Sequence, residues 1–161
     1  MKRISVSLFF IALIAIVLWP LIARASVTAS TGTVTETNEG RSRSGEVFCH
    51  TYAWLSDEDG DCVATISDLR GEILRVVINP DGGATAPTTL YDVTLTDRDA
   101  VSVIGSAGAN LSATVTSEYT GLVGDGGVVA AIPRAVFGDL ALSIEGAGDS
   151  NGGIIRIYMR Q

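Results

Sequence analysis

The sequence predicts an all-β protein, an antiparallel β-sandwich of about eight short strands preceded by an N-terminal hydrophobic helix. From Glu46 onward, apolar and polar residues alternate with a period of two, as in strands with one buried face. Turn-forming residues interrupt this alternation at intervals of about eight to twelve residues. Beyond residue 25, no segment carries three turns of helical periodicity, which argues against βαβ units.

The chain of 161 residues is long enough for one domain, and its composition divides it into three parts. Residues 1–25 are a signal peptide or membrane anchor. Residues 26–45 are rich in Ser, Thr and Gly and bury little apolar surface, so we expect a flexible linker there, with a short edge strand at 31–37. Residues 46–161 are the predicted β-sandwich domain.

Two readings of residues 1–25 stay open. Lys2 and Arg3 precede an uninterrupted apolar run at 8–19, and Ala23-Arg24-Ala25 is a small-x-small cleavage pattern that would leave Ser26 as the new N-terminus. A spanning helix needs about 20 residues, which is longer than this run. Counting 4–23 reaches that length but includes Ser5, Ser7 and Pro20. Under either interpretation we expect the rest of the chain to be exported, to the periplasm, the cell surface or a virion.

Removing residues 1–25 leaves a strongly acidic protein. Of the 11 basic residues, Lys2, Arg3 and Arg24 are in the leader, and all 18 acidic residues follow it, so the remaining balance is 8 − 18 = −10. Such a surface repels nucleic acid and anionic membranes, so nucleic-acid binding is not expected. Membrane contact is expected only through residues 1–25, if they are not cleaved.

The alternation predicts each strand in turn. Turns are expected at 57–60, 79–83 and 96–99, and the turn signal at 79–83 is the strongest of the three. Residues 105–127 are predicted to be a long loop with one helical turn at 110–114. The predicted strands are 46–55, 62–69, 73–78, 90–95, 101–104, 128–132, 140–144 and 154–159, the last two flanking a glycine-rich hairpin at 146–153.

Cys49 and Cys62 are the two cysteines, and in an exported protein they are candidates for a disulfide. A hairpin centred on Glu58-Asp59 places Leu55 opposite Cys62 and leaves Cys49 about 20 Å away along its strand. Direct bonding needs Cα atoms within about 7 Å, so it requires an irregular loop or a turn centred nearer Leu55-Ser56. The alternative is two small buried hydrophobic residues.

The sequence offers no enzymatic machinery, and we predict no catalytic, cofactor-binding or metal-binding residues. His50 is the only histidine and lies mid-strand on the same face as Phe48, Tyr52 and Trp54, without a nucleophile motif to serve. One His and two Cys are too few for a common zinc site. The acidic run 57–61 resembles part of a calcium loop but lacks the glutamate at the twelfth position, so a solvated hairpin tip is expected.

Several segments resemble small virion-associated proteins of tailed bacteriophages. The resemblance rests on GEILRVVINPDG (71–82), APTTLYDVTLTDRDAVSVIGSAGANLSAT (86–114) and AGDSNGGIIRIYMR (147–160), with a weaker match at YAWLSDEDG (52–60). It covers 71–161 and implies a non-enzymatic β-sandwich in a virion, with no catalytic residues. The chain departs from that group by its leader and its cysteine pair.

Two functions are consistent with these patterns. The first is a structural protein, a phage virion or virion-derived β-sandwich exported or held at a membrane, whose protein partners are copies of itself or capsid subunits. The alternative is a bacterial periplasmic or cell-surface binding module, adhesin-like or carbohydrate-contacting, in which Tyr52 and Trp54 form an aromatic platform. The competing interpretation is that these two aromatic residues are buried in the core.

Overall fold

The computed structural model describes residues 26–41, 46–80, 85–120 and 133–160. These ranges form eight strands and a single turn of 3-10 helix, Gly105–Gly108, and all pairings between strands are antiparallel. The predicted antiparallel all-β class is therefore confirmed. The strands are β1 (Ser26–Thr31), β2 (Thr33–Arg41), β3 (Val47–Leu55), β4 (Cys62–Asn79), β5 (Asp92–Asp97), β6 (Ser117–Tyr119), β7 (Arg134–Glu145) and β8 (Gly152–Arg160).

Five sequence predictions lie wholly or partly outside the described residues. They are the hydrophobic helix at 1–25, the strand at 128–132, most of the turn at 79–83, residues 42–45 of the linker and residues 121–127 of the long loop. Across the described ranges, no helix is long and apolar enough to cross a membrane.

The sheet is organised around β4. Hydrogen bonding gives the order β2-β3-β8-β4-β7-β5, and both β1 and β6 also pair with β4. The first part of β4 lies between β1 and β7, whereas its last part lies between β8 and β6. One strand of 18 residues therefore belongs to two sets of neighbours.

A bend near the middle of β4 lets it serve both sets. The register with β7 shifts between Ile66 and Leu69, and Asp68 and Gly71 have positive φ values of 60° and 134°. Gly138, opposite Leu69 on β7, also has a positive φ, 112°. The sequence predicts a break between two strands here, 62–69 and 73–78. That prediction is wrong, because the polar and glycine residues that resemble a turn form a bulge within one strand.

The inward-facing side chains of both parts of β4 belong to one hydrophobic cluster. Ile66 and Leu69 from the first part and Ile73 and Ile78 from the second are all essentially inaccessible to solvent. On β8 the alternation places Ile155, Ile157 and Met159 in the same core. The remaining members of the core are Tyr52, Trp54, Cys62, Val76, Tyr91, Val93, Leu95, Val103, Ile104, Leu111, Val136, Leu140, Leu142, Ile144 and Ala147.

Residues 26–41 are strands, so the prediction of a flexible linker over 26–45 is wrong for this part. The expected edge strand at 31–37 is part of a longer arrangement in which β1 pairs with β4 and β2 pairs with β3. Only Val27 and Val34 pack against the core from this segment. Its Ser/Thr-rich composition conceals the strands because backbone hydrogen bonds to neighbouring strands, and not burial, hold most of it.

The predicted hairpin at 146–153 is also wrong. The strands at 140–144 and 154–159 are present within β7 and β8, but they do not pair with each other because β4 lies between them. The glycine-rich segment between them therefore connects the two ends of β4, from Ile144 opposite Cys62 to Ile154 opposite Asn79. Sequence proximity made an antiparallel pair the simplest expectation, and the long central strand overrides it.

The segment after β5 is less regular than expected. Residues 101–104 form no strand, only a single bridge between Ser102 and Thr96. The helical turn expected at 110–114 is absent, and the short 3-10 turn lies earlier, at Gly105–Gly108. The packing of Gly108 explains this position, because a Cβ there would lie 1.9 Å from the carbonyl oxygen of Val93. The loop is pressed against β5 at a point where only glycine fits.

We predict that the stability of the protein depends strongly on β8. Replacing Ile157, which has no exposed surface, with alanine should lower the free energy of unfolding by about 2–5 kcal/mol. The control Leu90→Ala, at a side chain with 64 % exposure, should change it by less than about 0.5 kcal/mol. Urea unfolding of both variants measures the difference.

Because β8 lies between β3 and β4, deleting 152–161 should abolish cooperative unfolding, and a deletion variant that still unfolds cooperatively would contradict this.

Candidate functional site

His50 lies in the core and not in a cleft. Its Nδ1 is 3.2 Å from Oε1 of Glu36 on the neighbouring strand β2, and both side chains are only 10 % exposed. Its ring stacks parallel to that of Tyr52, with 6.5 Å between centroids. Its second nitrogen, Nε2, has no hydrogen-bond partner within the described residues. Of the two ring nitrogens of His50, only Nδ1 therefore has a hydrogen-bond partner within the described residues.

Tyr52 and Trp54 are core residues. They are 0 % and 3 % exposed, and Trp54 packs against Tyr91 with 6.0 Å between ring centroids. Burial, together with the nearby Glu36 carboxylate, raises the pKa of Tyr52 far above its usual value, so its hydroxyl stays neutral. The exposed aromatic platform considered for a binding module is therefore not formed by these two residues.

The two cysteines are free thiols far apart in the fold. Cys62 is buried, with its Sγ 3.7 Å from the carbonyl oxygen of Thr33, and Thr33 pairs with Leu55. Cys49 lies six residues before Leu55 on β3, which at about 3.3 Å per residue is about 20 Å away. The candidate Cys49–Cys62 disulfide is thus not present. Burial, and then the charge of Asp57, raises the pKa of the Cys62 thiol to about 11, which makes it a poor nucleophile.

The acidic run at 57–61 forms the expected turn, and its carboxylates bind backbone groups. Oδ1 of Asp57 accepts hydrogen bonds from the backbone N–H groups of Asp59 and Asp61, both at 3.0 Å. Oδ1 of Asp61 accepts another from Gly146, at 3.2 Å. Within the described ranges, no three His, Cys, Asp or Glu side chains are placed to hold a metal ion.

Ser56 joins this turn to the segment before β8. Its side chain is buried, and its one hydroxyl proton is shared between the carbonyl oxygens of Gly148 and Asn151, while Oγ accepts from the N–H of Asn151 at 3.1 Å. Its own backbone N–H also donates to Asn151, at 2.8 Å. Sequence reasoning missed Ser56, although a small polar residue at the end of an apolar strand is the available signal.

Close backbone contacts complete the same structure. The N–H of Ala147 donates to the carbonyl oxygen of Gly60, and Gly152 donates to Thr85, both at 2.8 Å. A Cβ on Gly60, whose φ is +89°, would lie 2.8 Å from the backbone nitrogen of Gly148. We call the segments 56–61, 85–90 and 146–152 the loop end. Its strands and turns are held together by polar contacts between residues far apart in sequence.

A second polar cluster lies where β5 ends. Oδ2 of Asp97 is 2.8 Å from Nη2 of Arg134, and Arg134 also donates to the carbonyl oxygen of Ser102 at 2.9 Å. Oδ1 of Asp97 accepts from the N–H groups of Asp99 and Val101. The hydrogen bond from Val101, followed by that from Arg134, lowers the pKa of Asp97. The sequence predicts only a turn at 96–99 here, and within that turn Nε of Arg98 lies 3.8 Å from Oδ1 of Asp99.

Comparison with known proteins adds no identification. No protein-family model matches the chain, and no curated protein matches it. Within the described residues, His50, Cys62, Tyr52 and Trp54 all have buried side chains.

We predict that Ser56 is a main determinant of stability at the loop end. Replacing it with alanine removes bonds to Gly148 and Asn151 and leaves buried backbone groups with fewer partners. The free energy of unfolding should fall by about 1–3 kcal/mol. Ser143→Ala, which removes an exposed contact to Glu145, should cost under about 0.5 kcal/mol in the same urea titration. Equal effects of the two substitutions would contradict this role for Ser56.

We also predict that the Asp97–Arg134 pair stabilises the protein only above acidic pH. Because folding lowers the pKa of Asp97 below its unfolded value of about 3.9, the stabilisation is present above that value and disappears as pH falls through the folded pKa. Arg134→Met should therefore lower the melting temperature at pH 7 and have a smaller effect near pH 2. Arg98→Met, at an exposed pair worth at most about 1 kcal/mol, is the control. A penalty for Arg134→Met that does not change with pH would contradict the prediction.

Proposed function

We propose that this chain is a non-enzymatic structural protein, a phage virion or virion-derived β-sandwich that is exported or held at a membrane through residues 1–25. In this proposal β4 belongs to both layers of the sandwich. The single core cluster formed by both parts of β4 supports the two-layer arrangement, since each layer needs an inner face to bury.

The observation that carries the proposal is the structure of the loop end. Two segments of the phage resemblance, 52–60 and 147–160, meet there through Ser56, Gly60 and Asn151. Ser56, Gly60 and Asn151 therefore hold these two segments against each other. This supports a shared fold whose characteristic residues maintain shape, as a structural protein requires.

The positions of the reactive side chains support the same proposal. His50 pairs with Glu36 in the interior, Cys62 is buried, and Tyr52 is fully enclosed. A substrate needs access to the group that acts on it, and these three side chains give none from the surface. In the acidic run at 57–61, the half-buried Asp57 and Asp61 bind backbone groups, and Glu58 and Asp59 are exposed.

Partners of this protein are expected to be proteins. The net charge of −10 after residue 25 disfavours nucleic acid and anionic lipid. Further copies of the chain or capsid subunits are the partners consistent with a virion role. A surface-binding module is the alternative, and with Tyr52 and Trp54 buried it would need another recognition surface.

Fractionation of a strain carrying the tagged gene tests the proposal. Cell lysates and culture supernatant are separated on a density gradient, and each fraction is examined for the tag and for nuclease-protected DNA or RNA. The proposal expects the protein to band with particles that protect nucleic acid. A protein found only in soluble periplasm or on cells without particles would overturn the virion role and favour the binding module. Intact mass of each pool distinguishes a chain that begins at Ser26 from an uncleaved one.

A further inference from the structure

Four strands of the sheet have only one neighbour each within the described residues, and three of them are protected. β5 is covered by the segment after it, through contacts of Val103 with Leu95 and of Leu111 with Tyr91. β6 is only three residues long. β2 carries an inward-facing charge, Glu36, bound to His50. Short length, a covering segment and an inward charge are the usual means by which proteins prevent edge strands from adding to other chains.

β1 has none of these features. Its sequence, SVTAST, contains no charged residue and no proline, and none of its six residues is fully buried. Val27 is its one contact with the hydrophobic core. Besides backbone pairing, β1 is held to β4 by hydrogen bonds between Thr31 or Ser30 and Val63. Strands with so few buried apolar contacts open at the lowest free-energy cost in a structure.

The single residue between β1 and β2 is a conformational constraint. Gly32 has a φ of +61°, and a Cβ at this position would lie 2.4 Å from the carbonyl oxygen of Leu55 and 3.1 Å from Cβ of Cys62. The turn that returns β1 to its own β4 therefore requires glycine. If β1 instead continued away from β2 in another direction, this requirement would disappear.

We propose that β1 exchanges between copies of this chain, so that Ser26–Thr31 of one copy pairs with residues 63–67 of β4 in another, with Gly32 as the hinge. The exchanged strand makes the same contacts that it makes within one chain, so exchange needs no new complementary surface. The occupant of the β4 edge is therefore a second copy. This inference goes beyond the proposed function and applies equally to a binding module.

Cross-linking between co-expressed full-length chains tests the exchange. Two differently tagged copies, both carrying Cys49→Ser, receive Thr28→Cys in one and Thr65→Cys in the other. These two exposed positions face each other across β1 and β4, and directly opposed Cβ atoms lie about 4.5–5.5 Å apart, within reach of a short bis-maleimide. Cys62 is buried and its thiol has a raised pKa, so it does not compete. A covalent product carrying both tags is the expected result.

A matched control uses a strand pair that the inference leaves within one chain. Thr65 also faces Ala141 on β7, and both are exposed, so Thr65→Cys in one copy and Ala141→Cys in the other should give several-fold less product. Equal yields from the two combinations would overturn the exchange. A product that forms mainly between two Thr28→Cys copies would also overturn it, because that pairing indicates side-by-side contact of β1 edges.

The hinge is tested separately. Gly32→Ala disfavours the return of β1 to its own β4 and should raise the yield of the Thr28–Thr65 product between copies. Gly146→Ala, at a glycine with φ of +69° and no atom within 4 Å of a new Cβ, should leave the yield unchanged. If Gly32→Ala lowers the yield or leaves it unchanged, Gly32 is not the hinge. Because these readouts concern contacts between copies, they are independent of whether the protein bands with virions.

Discussion

β4 supplies hydrogen bonds to four other strands, and its bend at 68–71 determines how the two parts of the sheet meet. A straight strand of 18 residues would extend about 60 Å and could not bury both of its parts in one core. The bend requires backbone conformations that most residues avoid, and Gly71 and, across the strand pair, Gly138 provide them. The carboxylate of Asp139 accepts from the N–H of Asp68, so the bulge leaves no unpaired donor at that residue. The core is shared because β4 bends here.

Sequence patterning predicted the strands that bury one face and failed where backbone pairing or tertiary context decides. β3, β5, β7 and β8 alternate clearly, so their positions were predicted to within a few residues, apart from the longer N-terminal extension of β7. β1 was missed, and β2 was predicted only in part as the edge strand at 31–37, because the side chains of both strands are mostly polar. A composition rule based on apolar burial does not detect strands that backbone hydrogen bonds hold in place. The bend in β4 was interpreted as a break between two strands, because residues such as Asp68 and Gly71 interrupt strands and also form bulges within them. Local sequence does not separate these two outcomes.

The polar clusters were harder to predict for a related reason. Asp57 and Asp97 were placed in turns correctly, since both bond to backbone groups two and four residues ahead, which is a local preference of aspartate. The contacts of these two turns with distant residues, from Gly146 to Asp61 and from Arg134 to Asp97, depend on strand order. No local sequence pattern contains the strand order. Ser56 is a similar case, because its partners are more than ninety residues away.

The contact between His50 and Glu36 specifies the register in which β2 pairs with β3. A strand of alternating Thr and polar residues offers few apolar side chains to specify its register, and such strands are prone to slip. Shifting β2 by one residue would turn Thr35 or Thr37 inward and remove the Glu36 carboxylate from His50, which would then have no partner at Nδ1. Because an unpaired buried polar group costs about 1–3 kcal/mol, the slipped register is disfavoured even though little apolar burial changes. The polar pair in the core thus replaces the hydrophobic pattern that fixes the register of the other strands.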